Sequence, residues 1–402
     1  IVITSTGGSF ADIALSGTQQ PTTAANTVLA AYGRLWVLDG SDLKYSDLLS
    51  YSAFNGVFDL HTYWKDGVDE GVALADWNGY LIVFGKRSII VFSAPYDPAS
   101  TMQIVENIGG FGCIARDSIQ TVGKDIFFLS KSGIRSLGRT VQEKSNPIGD
   151  ITKNVRDSLV NAVEAEDVDD IRSTYSEKNG FYVLCLPSSR KTFCIDTRFQ
   201  LEDGTYRVTD WDYSPDSIHT LLDGSVHISR TKAGASRYGS AKFGLSRYSF
   251  GTGTGGYLSN YSGYLDEVSS TNTGGDSYSI KYYSSWQDFS EQGAGSVIKI
   301  PKKLSFLLGG ARGDTVYLKW GNNFESNGKI VGVTRSLGTV AQYGVSQFGV
   351  GTYSGFVSFS ESKSPMSGSG RVIRFGMEAQ INGYSVSIQD ATLFAKTGRL
   401  AA

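Results

Sequence analysis

The apolar positions of this chain fall into short, near-continuous runs, each followed by a glycine or small polar turn and a second apolar run. The first such unit is Gly33-Arg34-Leu35-Trp36-Val37-Leu38-Asp39-Gly40, continuing through Leu43 to Tyr45. Similar units follow at Tyr80 to Phe92, Asp125 to Arg135 and Phe181 to Asp196, with a weaker copy at Leu221 to Ile228. A run that is apolar at every position predicts a strand buried on both faces, and the turn makes each unit a hairpin. With Leu35, Leu81, Ile126, Tyr182 and Val226 as anchors, the spacings are 46, 45, 56 and 44 residues. A hairpin with flanking strands every 40–50 residues or so is the period of β-propeller blades. Such blades bury their faces against each other, so the ring must close to be stable.

The long third interval has a visible cause. An inserted helix is predicted over 150–163, capped by Asp150, with Ile151, Val155, Leu159 and Val163 as its apolar stripe. Asn146-Pro147-Ile148-Gly149 before it reads as a turn. Glu164 to Asp170 carries five carboxylates but lacks the glycine and spacing of a calcium loop, so it reads as a solvated acidic edge.

From about Gly234 the texture changes. Tyr238-Gly239 and Phe243-Gly244 lead into a Gly/Ser/Tyr/Thr-rich stretch, and a related phrase returns at Tyr343-Gly344 and Phe348-Gly349. Aromatics at this density predict extended arms or loops that order when their rings pack on a neighbouring surface. Further strands are expected within Tyr278 to Phe289, Ser296 to Leu308, Thr315 to Trp320 and Arg371 to Lys396, with a hairpin turn at Asn382-Gly383. The expected fold is all-β. An N-terminal strand or arm covers 1–25, and a β-propeller of about five or six blades covers 26–235. A Gly/Tyr-rich loop or arm covers 236–275. A β-sandwich-like domain follows over 276–402, with a second Gly/aromatic insertion near 338–370.

Composition agrees with strands and turns: 48 Gly and 43 Tyr plus Phe stand among 402 residues. The charge is nearly balanced, 37 Lys and Arg against 39 Asp and Glu. That argues against a broad phosphate-binding surface but leaves room for a passage through which nucleic acid slides. No apolar run reaches the roughly 18 residues of a membrane-spanning helix. No charged segment leads into an apolar signal-peptide core. The first residue is Ile1, which predicts a fragment, a processed product or residues upstream.

Candidate chemistry is sparse. Cys113, Cys185 and Cys194 are an odd set without metal-binding spacing, and read as buried thiols. Cys185 and Cys194 flank one predicted turn and could lie close on paired strands. His61, His219 and His227 are the three histidines, and no nucleophile elbow accompanies them. Asp210, Asp212 and Asp216 around Trp211 are the candidates for a glycosidase-like carboxylate pair, yet repeated sialidase-type boxes are missing and a blade edge is the plainer reading. Gly251 to Gly256 lacks the strand, helix and lysine of a phosphate loop. Arg312-Gly313-Asp314 matches an adhesion tripeptide but reads as a hairpin loop. No catalytic, cofactor-binding or metal residue is assigned, and the expectation is a protein that is not an enzyme.

Several phrases in order resemble the tail nozzle proteins of short-tailed bacteriophages, of the tail tubular protein B type, and the related propeller plugs that stabilise packaged DNA. They are Tyr80 to Gly85, Ile108 to Ile119, Ile126 to Ser130 with Ser132 to Arg135, and the helix entry from Asn146 to Leu159. Near the end, Ile381 to Tyr384, Ser387 to Gln389 and Lys396 to Arg399 are similar to the close of those chains. The resemblance covers residues 30–230 and the final 30 residues, and is weak over the glycine-rich insertions. It implies a virion protein, assembled in the host bacterial cytoplasm as a hexameric ring at the distal end of a tail. Such a ring would dock on an upstream adaptor or tube ring, carry fibres or a needle, and gate double-stranded DNA without reading its sequence. Lys86, Arg87 and Lys131 are lumen candidates only in the sense that they lie in blade turns. The alternative expectation is a carbohydrate-binding or glycosidase-like propeller of a tail tip or secreted protein. A generic interaction propeller ranks last because the WD pattern is missing.

Overall fold

The computed structural model describes residues 2–3, 10–11, 14–22, 25–64, 69–143, 150–211, 214–230, 245–249, 257–261, 277–290, 293–295, 297–310, 315–325, 329–334, 359–381 and 386–400. Among them the chain is all-β, with several antiparallel sheets and two short α-helices. It divides into two compact units, Ile1–Ala233 with Phe250–Leu258, and Gly234–Ser249 with Ser259–Ala402.

A small ribbon of β1 (Val2–Ile3) and β2 (Phe10–Ala11) comes first. Five sheets follow. The first is the meander β3 (Thr27–Ala31), β4 (Arg34–Asp39), β5 (Asp42–Ser46) and β6 (Phe54–Asp59). The second is β7 (Gly71–Trp77), β8 (Tyr80–Gly85), β9 (Ser88–Ser93) and β10 (Gln103–Gly109). The third has three strands, β11 (Gln120–Val122), β12 (Asp125–Ser130) and β13 (Gly133–Ser136), and runs on into helix α1 (Leu137–Glu143). Helix α2 (Arg156–Glu164) precedes the fourth, β14 (Arg172–Ser176), β15 (Phe181–Leu186), β16 (Lys191–Gln200) and β17 (Tyr206–Trp211). The fifth opens on β18 (Ser217–Thr220) paired with β19 (Val226–Arg230). β20 (Leu245–Ser249) and β21 (Tyr257–Tyr261) come next along the chain.

The apolar runs have a direct physical reading, because successive side chains of a strand point to opposite faces. In β8, Leu81 and Val83 join a core with Trp36, Leu38 and Leu43 of the first sheet, while Ile82 and Phe84 join a core with Ile126 and Phe128 of β12. The other face of β12, Phe127 and Leu129, packs with Tyr182, Leu184 and Phe193 of the fourth sheet. β8 and β12 are therefore two-sided layers between neighbouring sheets. Aromatic pairs continue the packing, with Phe84 and Phe128 at 5.1 Å and Phe127 and Tyr182 at 5.9 Å between ring centres. Burying each such ring contributes roughly 1.5–3 kcal/mol.

Three expectations change. The helix predicted over 150–163 begins later: a 3-10 turn at Lys153–Val155 precedes α2, and Val155 at its start gives no side-chain cap. Asp150 is occupied elsewhere, bridging Arg135 across the backbone and accepting from the Thr152 N–H and hydroxyl and from Arg156 Nε, each at 2.9 Å. Ile151, Leu159 and Val163 are buried as the stripe required, and Val155 is half-buried. The weak fifth unit is not a hairpin of second and third strands. Leu221–Ser225 is the turn between first and second strands, and Leu222 is fully exposed. Third, no Asn-Gly hairpin joins partners near the C-terminus, because the strands on either side of residues 382–385 belong to different sheets.

The second unit contains those two sheets. One orders β22 (Tyr278–Tyr283), β27 (Ile373–Ile381), β24 (Thr315–Asn322) and β25 (Lys329–Thr334); the other orders β26 (Phe359–Pro365), β23 (Val297–Gly310) and β28 (Val386–Leu400). Leu304, Phe306 and Leu308 of β23 share a core with Val316, Leu318 and Trp320 of β24 and Met377 of β27. Lys299, also buried, sends its ammonium to the Arg371 carbonyl at 2.7 Å and to the Asp288 carbonyl. Asp212, the Asn146–Gly149 turn, Gly251 to Gly256, Arg312 to Asp314 and the Tyr343 to Gly349 phrase lie outside the described residues.

Candidate functional site

The first strands of all five sheets in the first unit contribute to one cavity. Its volume is about 600 Å³, and it is lined from β3 by Thr27 and Val28, from β7 by Ala73 and Leu74, from β11 by Gln120, from β14 by Ser173 and from β18 by Ile218. Asn26, Val37, Arg116, Asp117, Ile119 and Arg172 complete its main walls. Val28, at an exposed position of an alternating strand, is 64% exposed and lines the cavity.

Hydrogen bonds step from each sheet to the next around this cavity. Asn26 Nδ2 donates to the Gly71 carbonyl at 2.8 Å, and the Tyr32 hydroxyl to the Tyr80 carbonyl at 2.9 Å, joining the first and second sheets. Trp77 Nε1 donates to the Lys124 carbonyl at 2.9 Å, joining second and third. Gln120 Nε2 reaches the Ser173 carbonyl at 3.1 Å, and the buried Tyr182 hydroxyl donates to the Ser118 carbonyl at 2.6 Å, joining third and fourth. The Thr174 and Thr220 hydroxyls meet at 2.9 Å between fourth and fifth. Arg116 Nη1 donates to the Asn26 carbonyl at 2.7 Å, tying the third sheet directly to the first.

The charges of the cavity form one network. Arg116 grips Asp117 through Nε at 2.9 Å and Nη2 at 3.3 Å, and Arg172 Nη1 reaches the same carboxylate at 3.1 Å. The Ser173 hydroxyl donates to the Asp117 carbonyl at 2.7 Å. Hydrogen bonding to Asp117 holds the Arg116 guanidinium above its ordinary pKa. Asp117 supplies the carboxylate among the described lining residues, so the two-carboxylate arrangement that glycoside hydrolysis uses is not assembled there.

The residues singled out in the sequence lie apart from this network. Asp210 is exposed on β17, Asp216 is half-buried before β18, and neither lines the cavity. His61 is exposed beside Asp59 at 3.5 Å. His219 and His227 face each other across β18 and β19, with Ser225 Oγ 3.0 Å from His227 Nε2. Lys86 pairs with Glu70 at 2.6 Å, and Arg87 gives its backbone N–H to Asp69 at 3.0 Å, both in the turn after β8. Lys131 is exposed in the turn after β12. Cys185 and Cys194 stand on paired strands but two residues out of register, opposite Thr192 and Val183, and all three cysteines are free. Burial pushes the thiols of Cys113, Cys185 and Cys194 up to about 12. In the acidic run, Glu166 accepts the Ser188 and Ser189 N–H groups at 2.6 and 2.9 Å, and no cluster suited to a metal occurs among the described residues. Sequence reasoning passed over Arg116, Asp117 and Arg172. The signal available was an Arg-Asp pair set in an otherwise apolar and glycine-rich stretch.

No protein-family model and no curated protein matches the chain. Among solved structures, the AfRom2 CNH domain aligns over 59% of this chain and 80% of that one, with 11% identity and a TM-score of 0.31. A GH43 glycoside hydrolase engineered for endo-xylanase and exo-arabinofuranosidase activity aligns over 92% and 98%, with 11% identity and a TM-score of 0.26. Likenesses this low carry no functional argument. No helix among the described residues is long and apolar enough to cross a membrane.

Proposed function

We propose that the first unit is a five-bladed β-propeller, that the second is a β-sandwich, and that the protein is a non-enzymatic structural ring component of a short bacteriophage tail. The observation that carries the reading is where the family-like phrases fall. Tyr80 to Gly85 is β8, Ile126 to Ser130 is β12, Gly133 to Arg135 begins β13, and Ile108 to Ile119 is the link from second to third sheet. Leu81 to Phe84, Ile126 and Phe128 of these segments pack between successive sheets, and Ile108 and Cys113 of the link join the same core.

A conduit for duplex DNA then has to lie between subunits. The cavity within one chain holds about 20 waters at roughly 30 Å³ each, far too little for a duplex. Closure of such a conduit calls for a cyclic homo-oligomer, and six copies is the order the family resemblance implies. The near-neutral charge suits a lumen that passes DNA without holding its phosphates. The expected partners are an upstream adaptor or tube ring on one face and fibres or a needle on the other. Mass photometry at micromolar concentration tests the reading. A species near six times the 43.4 kDa chain, alone or after addition of the upstream tail protein, supports it. A strictly monomeric particle under both conditions overturns it.

A further inference from the structure

We propose that the cavity shared by the five sheets of the first unit binds a small organic carboxylate with an apolar body. The inference rests on the geometry of that cavity alone and stands whether or not the chain forms a ring. Three features point to this ligand.

The first is donor capacity. A guanidinium carries five N–H donors in a rigid fork that matches a carboxylate. Arg172 Nη1 donates to the Ile171 carbonyl at 2.9 Å and to the Asp169 carbonyl, and the same nitrogen lies 3.1 Å from the Asp117 carboxylate, which anchors the head group from one side. Its Nε and Nη2 have no partner among the described residues, and its side chain is 31% exposed at the cavity. That leaves one edge of the fork for a second carboxylate. The two arginines of the lining outnumber its one carboxylate, while Asp169 lies exposed outside it. A concave, partly desolvated wall with a net positive charge concentrates anions.

The second is shape and lining. About 600 Å³ falls within the ordinary range of small-molecule sites. Val28, Val37, Leu74, Ile119 and Ile218 give the cavity apolar walls beside the arginine network. Such walls favour a hydrocarbon or aromatic body over a polyhydroxylated one.

The third is pre-organisation. Arg116 is held by Asp117 and the Asn26 carbonyl, and Asp117 by two guanidiniums, so the site needs no rearrangement before an anion arrives.

Isothermal titration of the full chain with sodium hexanoate and sodium benzoate tests the proposal, with benzamide and sodium glucuronate as comparison ligands. Hexanoate and benzoate are expected to bind at one site, with affinity falling as salt is raised. Benzamide is expected to bind at least about tenfold more weakly, as befits loss of a charge-assisted pair. Glucuronate keeps the carboxylate but loses the apolar contact, and is expected to be weaker than hexanoate. Arg172→Gln is expected to weaken hexanoate by about tenfold or more. If Arg172→Gln fails to fold, Val28→Asp decides the point, because it sets a carboxylate at an exposed lining position outside the ion pairs; loss of hexanoate binding supports the site. The proposal is overturned if neither acid binds at millimolar concentration, or if benzamide or glucuronate equals hexanoate. Unchanged hexanoate affinity in folded Arg172→Gln or in Val28→Asp overturns it equally.

Discussion

Replacing Tyr182 by Phe removes one oxygen from the interface between the third and fourth sheets and leaves the ring in place. The phenol is completely buried, and its hydroxyl donates to the equally buried Ser118 carbonyl at 2.6 Å. The ring packs on Phe127 at 5.9 Å, and that contact survives in the variant. The loss is then one hydrogen bond plus an acceptor stranded away from water, about 1–3 kcal/mol. For a cooperative unit of this size each kcal/mol moves the melting point by about 2–4 °C, so a fall of about 2–12 °C is expected by calorimetry. Tyr96→Phe, at a ring 67% exposed to solvent, is the control and should leave the melt unchanged. Burial also lifts the Tyr182 phenol well above its ordinary pKa. The neutral form is favoured in the folded state, so this contribution is present below pH 10 and declines as pH rises beyond it. A Tyr182→Phe melt within about 1 °C of the parent would refute the view that this bond fastens the two sheets.

Three further outcomes follow from the same packing. The thiols of Cys113, Cys185 and Cys194, raised from 9.0 to about 12 by burial, should resist an aromatic disulfide reagent at pH 8 in the folded protein and react once it is unfolded. The same shifts favour the protonated folded state, so each thiol should subtract about 1.4 kcal/mol of stability per pH unit between the two values, read as alkaline destabilisation in denaturant melts. Asp39→Asn should cost about 3–5 kcal/mol, because the carboxylate accepts from Lys44 at 2.7 Å and from Thr22 at 2.6 and 2.9 Å, and the Lys44 ammonium would stay buried without a counter-charge. Burial works to raise the Asp39 carboxyl, but the Lys44 and Thr22 bonds outweigh it and hold it low. Its contribution is therefore present above pH 3.8 and lost as the pH falls through its folded value, so the loss of stability between pH 7 and pH 3 in urea melts should be smaller in the asparagine variant than in the parent. Gly112→Ala would place a methyl on the Gly85 carbonyl and the Lys86–Arg87 peptide, so the backbone must move. A loss of about 1–3 kcal/mol is expected from chemical denaturation.

The hairpins were legible because their strands are buried on both faces. Leu81 to Phe84 must be apolar at every position when one side meets the first sheet and the other the third. The first and fourth strands left weaker traces. Thr27–Ala31 and the first four residues of Gln103–Gly109 alternate between half-buried and exposed positions, and short alternating segments resemble loops in a single sequence. Asp150 was misread because an aspartate before an apolar stripe has the form of a cap, while its carboxylate is spent on Thr152 and Arg156. Helix α1 went unseen: it is seven residues long and contains Gly138. The cavity was hidden for another reason. Asn26, Arg116, Arg172 and Ile218 are far apart in the chain and meet only because five first strands converge, so no local spacing encodes them.

On the function proposed above, this chain builds a ring around a conduit that no single copy contains. Electron microscopy of the purified protein at micromolar concentration, with and without the upstream tail protein, measures it directly. Class averages are predicted to show a closed ring with six-fold symmetry and an open lumen between subunits. Fields of single, unassembled particles under both conditions would contradict it.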